Sequence, residues 1–89
     1  MLRTAALEGC VNVVKFLIGQ KVDVNGADTY GQTALLHASR NGHFEVVKCL
    51  FERGANVNAV DLYGGTTLLR ASQFGHVEVL KWLIEHGPD

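Results

Sequence analysis

Proline occurs once in this 89-residue chain, cysteine twice, and neither sign of charge dominates. These scarcities exclude several classes of function. Eight Lys and Arg stand against nine Asp and Glu, for a net charge of −1, and the cations are scattered among the anions. No basic stripe is available to neutralise a phosphate backbone, so nucleic acid is not expected as the main partner. The longest apolar runs, such as Phe16-Leu17-Ile18, are far too short to span a bilayer, and no signal-peptide core follows Met1-Leu2-Arg3. No phosphate-binding loop is present, because Gly64-Gly65 lacks the spacing and the following lysine of one. Cys10 and Cys49 occupy different points of the repeat described below, so no disulfide is expected. Free thiols suit a reducing, intracellular compartment, cytoplasmic or nuclear. With 47% hydrophobic and 19% charged residues, the chain is expected to fold.

Repetition is what the sequence has in abundance. Gly31-Gln32-Thr33-Ala34-Leu35-Leu36 returns 33 residues later as Gly64-Gly65-Thr66-Thr67-Leu68-Leu69. Gly42-His43-Phe44-Glu45-Val46-Val47-Lys48 returns as Gly75-His76-Val77-Glu78-Val79-Leu80-Lys81. Residues 31–56 and 64–89 align without a gap, with about 14 identities in 26 positions. Such a period marks stacked supersecondary units, none able to bury its apolar face alone. Recurring residues are expected to be scaffold, with specificity where the copies differ. One repeat domain then divides into a partial unit at 1–30, a unit at 31–63, and a unit at 64–89 lacking its final loop. Two and two-thirds units without polar caps read as part of a longer array, or as a short chain whose uncapped ends self-associate.

Local signals place the helices. Thr33 is positioned to cap a helix over about 34–41, and Gly42 stands where a left-handed residue ends one. Leu35, Leu36, Ala38 and Ser39 give that helix a narrow face that a neighbour can approach closely. Val46, Val47, Leu50 and Phe51 predict a second helix over about 44–53, stopped by Gly54. Residues 55–64, polar and closed by glycine, read as an extended turn or hairpin. The next copy predicts helices over about 67–74 and 77–86. Gly9 aligns with Gly42, so the first copy begins within its first helix.

Asp28-Thr29-Tyr30-Gly31-Gln32-Thr33-Ala34-Leu35, Ala38, the Gly42–Lys48 string and Gly54-Ala55-Asn56-Val57-Asn58 together resemble the ankyrin repeat. The third copy matches from Asp61 through Gly87 in the same way, so the resemblance covers essentially the whole chain. It implies an all-α solenoid of stacked antiparallel helix pairs joined by β-hairpin-like loops. Hairpin tips and first helices would line a concave protein-binding face, with neither catalysis nor a cofactor. The family's Thr-Pro-Leu-His is Thr33-Ala34-Leu35-Leu36 here and Thr66-Thr67-Leu68-Leu69 in the next copy. The family's usual inter-repeat histidine network is therefore not expected, and Leu36–Leu69 packing is expected in its place. Lys21 stands where a helix-ending glycine is usual. In the family, asparagines placed like Asn25 and Asn58 can be substrates of an asparaginyl hydroxylase; the alternative is an amide bridging two turns.

The positions that differ between copies supply the candidate site. They are Gln32, His37, Arg40 and Asn41 in the middle copy, with Leu62, Arg70, Gln73 and Phe74 in the next, and the recurring Tyr30 and Tyr63 join them as aromatics at exposed hairpin tips. An apolar strip (Leu62, Tyr63, Phe74) beside a basic and amide strip (Arg40, Asn41, Arg70, Gln73) suits a protein or peptide partner, extended or helical. For the tyrosines the other reading is packing on an adjacent hairpin, and for Phe74 folding back on its own unit. Asp28 and Asp61 are expected to form turns. His43 and His76 are expected to bond backbone within their own inter-helix turns, since helices packed about 8–10 Å apart do not bring both nitrogens to about 2 Å from one metal ion. Trp82 is expected to close the C-terminal end or to pack on a following unit. No unrepeated set of acid, base and nucleophile can be assembled, so recognition without chemistry is expected, with a structural spacer or self-associating stack as its rival.

Overall fold

Thr33 and Thr66 open helices by the same device. Their backbone is extended, with φ −91° and −98°. Thr33 Oγ1 accepts from Leu36 N at 3.2 Å and Thr66 Oγ1 from Leu69 N at 3.1 Å, each satisfying a donor that the first helical turn leaves orphaned. The computed structural model describes residues 1–86. They form α1 (Leu2–Glu8), α2 (Val11–Ile18), α3 (Ala34–Asn41), α4 (Phe44–Glu52), α5 (Thr67–Gln73) and α6 (Val77–His86), and no strand occurs among the described residues. Three helix pairs stack, so that α3 packs between α1 and α5 and α4 between α2 and α6. The fold is an all-α solenoid.

The turn within each pair repeats faithfully. Gly42 and Gly75 both have φ 73°, and Gly9 has φ 74°. This left-handed conformation costs a residue bearing a Cβ about 1 kcal/mol or more. Helices α4 and α5 stop one residue short of expectation, because Arg53 and Phe74 have left helical geometry as caps. In the first pair Gly19 closes α2, two residues before Lys21. The helix stop expected at Gly87 lies outside the described residues.

A continuous core runs from Ala5 and Ala6 through Leu35, Val46, Val47 and Leu50 to Val79 and Leu83. Each fully buried Leu or Val contributes about 1.5–3 kcal/mol. Equivalent positions show that stacking does the burying: Leu36 is 0% exposed and Leu69 50%, while Ile18 is 8% and Ile84 64%. Each is covered only where another helix pair lies against it. Leu69, the expected partner of Leu36, keeps half its surface in solvent.

Two histidines join successive pairs, which corrects the expectation that they bond within their own turns. His43 Nε2 donates to Leu7 O at 2.9 Å, and His76 Nε2 to Arg40 O at 2.7 Å. Both reach across to the preceding pair rather than bonding within their own turns, and both satisfy a carbonyl that a helix C-terminus leaves open. These are not the family's helix-opening histidines, whose places Leu36 and Leu69 hold. A Cβ on Gly9 or Gly42 would run into the ring of the next pair's histidine. Trp82, on the last helix, packs inward on the preceding pair. It meets Phe51 edge-on at 5.0 Å between centroids, Phe44 at 6.5 Å, and stacks with His86 at 4.7 Å. Packing of α6 on α4 turns the indole back onto the preceding pair, where aromatic faces cover it.

Candidate functional site

Two short turns project between the helix pairs, each built on an aspartate. In the first, Asp28 N donates to Gln32 O at 3.1 Å and Gly31 N to Asp28 O at 3.0 Å, while Asp28 Oδ1 accepts from Tyr30 N and Gln32 N at 2.9 and 3.0 Å. The second repeats this around Asp61, whose Oδ1 accepts from Tyr63 N at 2.9 Å and Gly65 N at 2.8 Å. Such side-chain-to-backbone bonds close a turn without a strand ladder. One bond joins tip to tip, from Leu62 N to Tyr30 O at 2.9 Å.

The second carboxylate is also a junction. Asp61 Oδ2 accepts from Gln32 Nε2 at 2.6 Å, Arg70 Nε at 3.1 Å and Arg70 Nη2 at 2.8 Å, with its side chain fully buried. Burial alone raises the Asp61 carboxyl, but the bonds from Gly65, Arg70, Gln32 and Tyr63 outweigh it and hold the pKa at about 2. Asp28 is lowered as well, chiefly by the Gln32 N–H bond acting against burial, with Tyr30 and His37 adding to it. His37 Nε2 lies 3.4 Å from Asp28 Oδ2. Arg70 bears the same relation to Asp61, in the same register. Gly65 replaces Gln32 because the Arg70 guanidinium fills the space a Cβ would need.

Between the tips and helices α3 and α5 lies a cavity of about 290 Å³, lined by Asp28, Tyr30, Gln32, His37, Arg40, Tyr63, Arg70 and Phe74. Seven of the ten candidate residues thus share one concavity. Phe74 does not fold back on its own unit; the Arg40 guanidinium lies over its ring, 5.5 Å from the centroid, and the ring remains half exposed. The other three candidates flank the cavity or serve the frame. Asn41 Nδ2 donates to Leu7 O at 2.8 Å, Gln73 Oε1 accepts from Arg70 Nη1 at 2.7 Å, and the Leu62 side chain is 69% exposed. Asn25 bridges two turns, its Oδ1 accepting from Asn56 N at 2.6 Å and its Nδ2 donating to Gly54 O at 3.3 Å. The corresponding partners of Asn58, at 87 and 89, lie outside the described residues.

Sequence alone identifies Asp28 and Asp61 as turn formers, and their links to His37 and Arg70 emerge only in the folded chain. A usable signal was present, since each aspartate is followed nine residues later by a side chain able to carry positive charge. Among the described residues, no group of three or more His, Cys, Asp and Glu is arranged to hold a metal ion. Nor is any helix there long and apolar enough to cross a membrane. Cys10 and Cys49 are free thiols.

Comparison with known proteins agrees with this geometry. A family model described as ankyrin repeats, in three copies, matches residues 2–89. The chain is similar to ankyrin repeat domain-containing protein 39 of Bos taurus, with 51% identity over 41 residues, which is 46% of this chain and 22% of that protein's length. Ankyrin repeats generally serve as protein-interaction modules, and the family is typically non-catalytic. With its repeats matched from residue 2 to residue 89 and its helix pairs stacked in register, the chain belongs to the ankyrin repeat family.

Proposed function

We propose that the chain is a non-catalytic recognition module that binds a protein or peptide through its hairpin tips and concave first-helix surface. One observation carries this reading. Tyr30, Tyr63 and Phe74 converge on a single cavity while staying 57%, 73% and 48% exposed. The turns do not require these rings, because the aspartates close both tips. Exposed aromatics of this kind are enriched where protein surfaces meet, since they offer large contact area at low entropic cost. Arg40 and the flanking Leu62, Asn41 and Gln73 extend the surface, while His37, Arg70 and Gln32 hold its floor. The module needs no cofactor, works in an intracellular setting, and divides into units after residues 30 and 63.

The double variant Tyr63→Ala, Phe74→Ala tests the reading. Both side chains stand largely clear of the core, so far-UV circular dichroism should stay nearly unchanged while capture of partners from a cell lysate is abolished. Capture at the wild-type level would remove this face from consideration. A second reading, a structural spacer or self-associating stack with idle tips, draws on a different observation. Leu69, Val77 and Ile84 are 50%, 57% and 64% exposed on the last helix pair. A solution mass that remains monomeric at every concentration counts against self-association.

A further inference from the structure

The hydrogen-bonding capacity of the tip cavity is spent unevenly. Little acceptor capacity is left. Asp61 already takes five donors, and Asp28 takes two backbone N–H groups on Oδ1 and faces His37 on Oδ2. Gln32 Oε1 and His37 Nδ1 lack partners, but both are sealed inside the wall, with no appreciable surface to offer a guest. Donor capacity is different. Arg70 is committed, with Nε and Nη2 on Asp61 and Nη1 on Gln73. Arg40 is exposed and, among the described residues, meets no carboxylate. Its position over Phe74 leaves the N–H groups at the edge of the guanidinium plane open to an acceptor. The exposed Tyr30 and Tyr63 rings carry two more hydroxyl donors to the same concavity.

On the recognition reading given above, we infer that this cavity takes an Asp or Glu side chain of an extended partner peptide, with an adjacent apolar residue seated on the Phe74 and Tyr63 rings. The guest carboxylate bonds to Arg40. Charge complementarity selects it, because one uncommitted cation beside three rings matches a single negative charge flanked by apolar surface. A phosphorylated residue carries nearly twice that charge and is ordinarily met by clustered arginines, and Arg70 is withheld by Asp61. A basic guest would be opposed by Arg40 and would find the nearby carboxylates already occupied.

Selection from a randomised peptide display library against the whole chain, followed by fluorescence anisotropy, tests the inference. Recovered peptides should share an acidic residue next to an aromatic or aliphatic one. Replacing that acid by its amide should weaken binding about tenfold or more. Arg40→Glu, checked for folding by circular dichroism, should reverse the preference toward basic peptides, and Arg40→Lys should retain it at lower affinity. Any of four results overturns the inference: recovered peptides without a shared acid, tighter binding of a phosphotyrosine peptide than of its glutamate counterpart, an unchanged charge preference in Arg40→Glu, or no recovered peptide. Its failure is separable from failure of the recognition reading. If lysate capture depends on Tyr63 and Phe74 but not on Arg40, only the acidic guest falls.

Discussion

Replacing Asp61 by asparagine keeps the size of the side chain and removes its charge, which isolates what the carboxylate does for the stack. Asparagine can still offer its oxygen to the Tyr63 and Gly65 N–H groups. Its amide nitrogen then faces Gln32 Nε2 and the Arg70 guanidinium, donor against donor. The magnitude follows from the titration of a fully buried side chain. The carboxyl pKa falls from 3.8 to about 2 on folding, which corresponds to about 2 kcal/mol of stability. Because the folded value lies below the unfolded one, the unfolded chain binds more protons between the two. The contribution is therefore complete above about pH 4 and is lost as the pH falls through about 2. Urea unfolding, followed by circular dichroism at steps from pH 7 to pH 2, reads this directly. The wild type should lose about 2 kcal/mol more than Asp61→Asn across the acid range, and at pH 7 the variant should be the less stable by at least that amount. Equal stabilities at pH 7, or parallel acid slopes, would refute the role given to Asp61.

Three further outcomes follow from the junctions. Gly42→Ala and Gly75→Ala impose the same backbone strain, since both sites have φ 73°, but only the first displaces a histidine ring. Gly42→Ala should cost about 1 kcal/mol more than Gly75→Ala in urea unfolding, the worth of the His76 bond, and equal costs would contradict that assignment. Trp82→Ala should destabilise by about 3 kcal/mol through lost contact with Phe51 and Phe44. Phe16→Ala, at the equivalent but 67% exposed position, should cost less than about 1 kcal/mol; similar losses in the two would deny the aromatic junction. If the last pair's outward surface drives association, Ile84→Lys should lower the sedimentation mass at high concentration, whereas an unchanged mass excludes Ile84 from such a contact.

Several contacts were legible in the sequence because both partners lie close together along the chain. The Thr33 bond to Leu36 spans three residues, and Gly42 ends its helix through its own φ. The aspartate turns were legible for the same reason, closing over two and four residues. Junction partners were not. His43 reaches a carbonyl 36 residues away, and nothing within the Gly-His string names its target. Arg70 looked like part of the open surface because its copy-to-copy change from His37 suggested specificity, yet it is bound by the aspartate nine residues before it. The partners of Trp82 were hidden likewise, because Phe51 and Phe44 lie 31 and 38 residues before it.

By itself, then, the amino-acid sequence determined the period, the spans of the last four helices to within about a residue, the turn chemistry and the row of side chains that differ between copies. Those properties depend on backbone torsions, capping and apolar spacing, all settled within a turn or two of the chain. Only the tertiary structure decided which member of that row is spent on holding the frame and which stands open. That choice depends on how closely one helix pair lies upon the next, and so on which buried carboxylate claims each cation first.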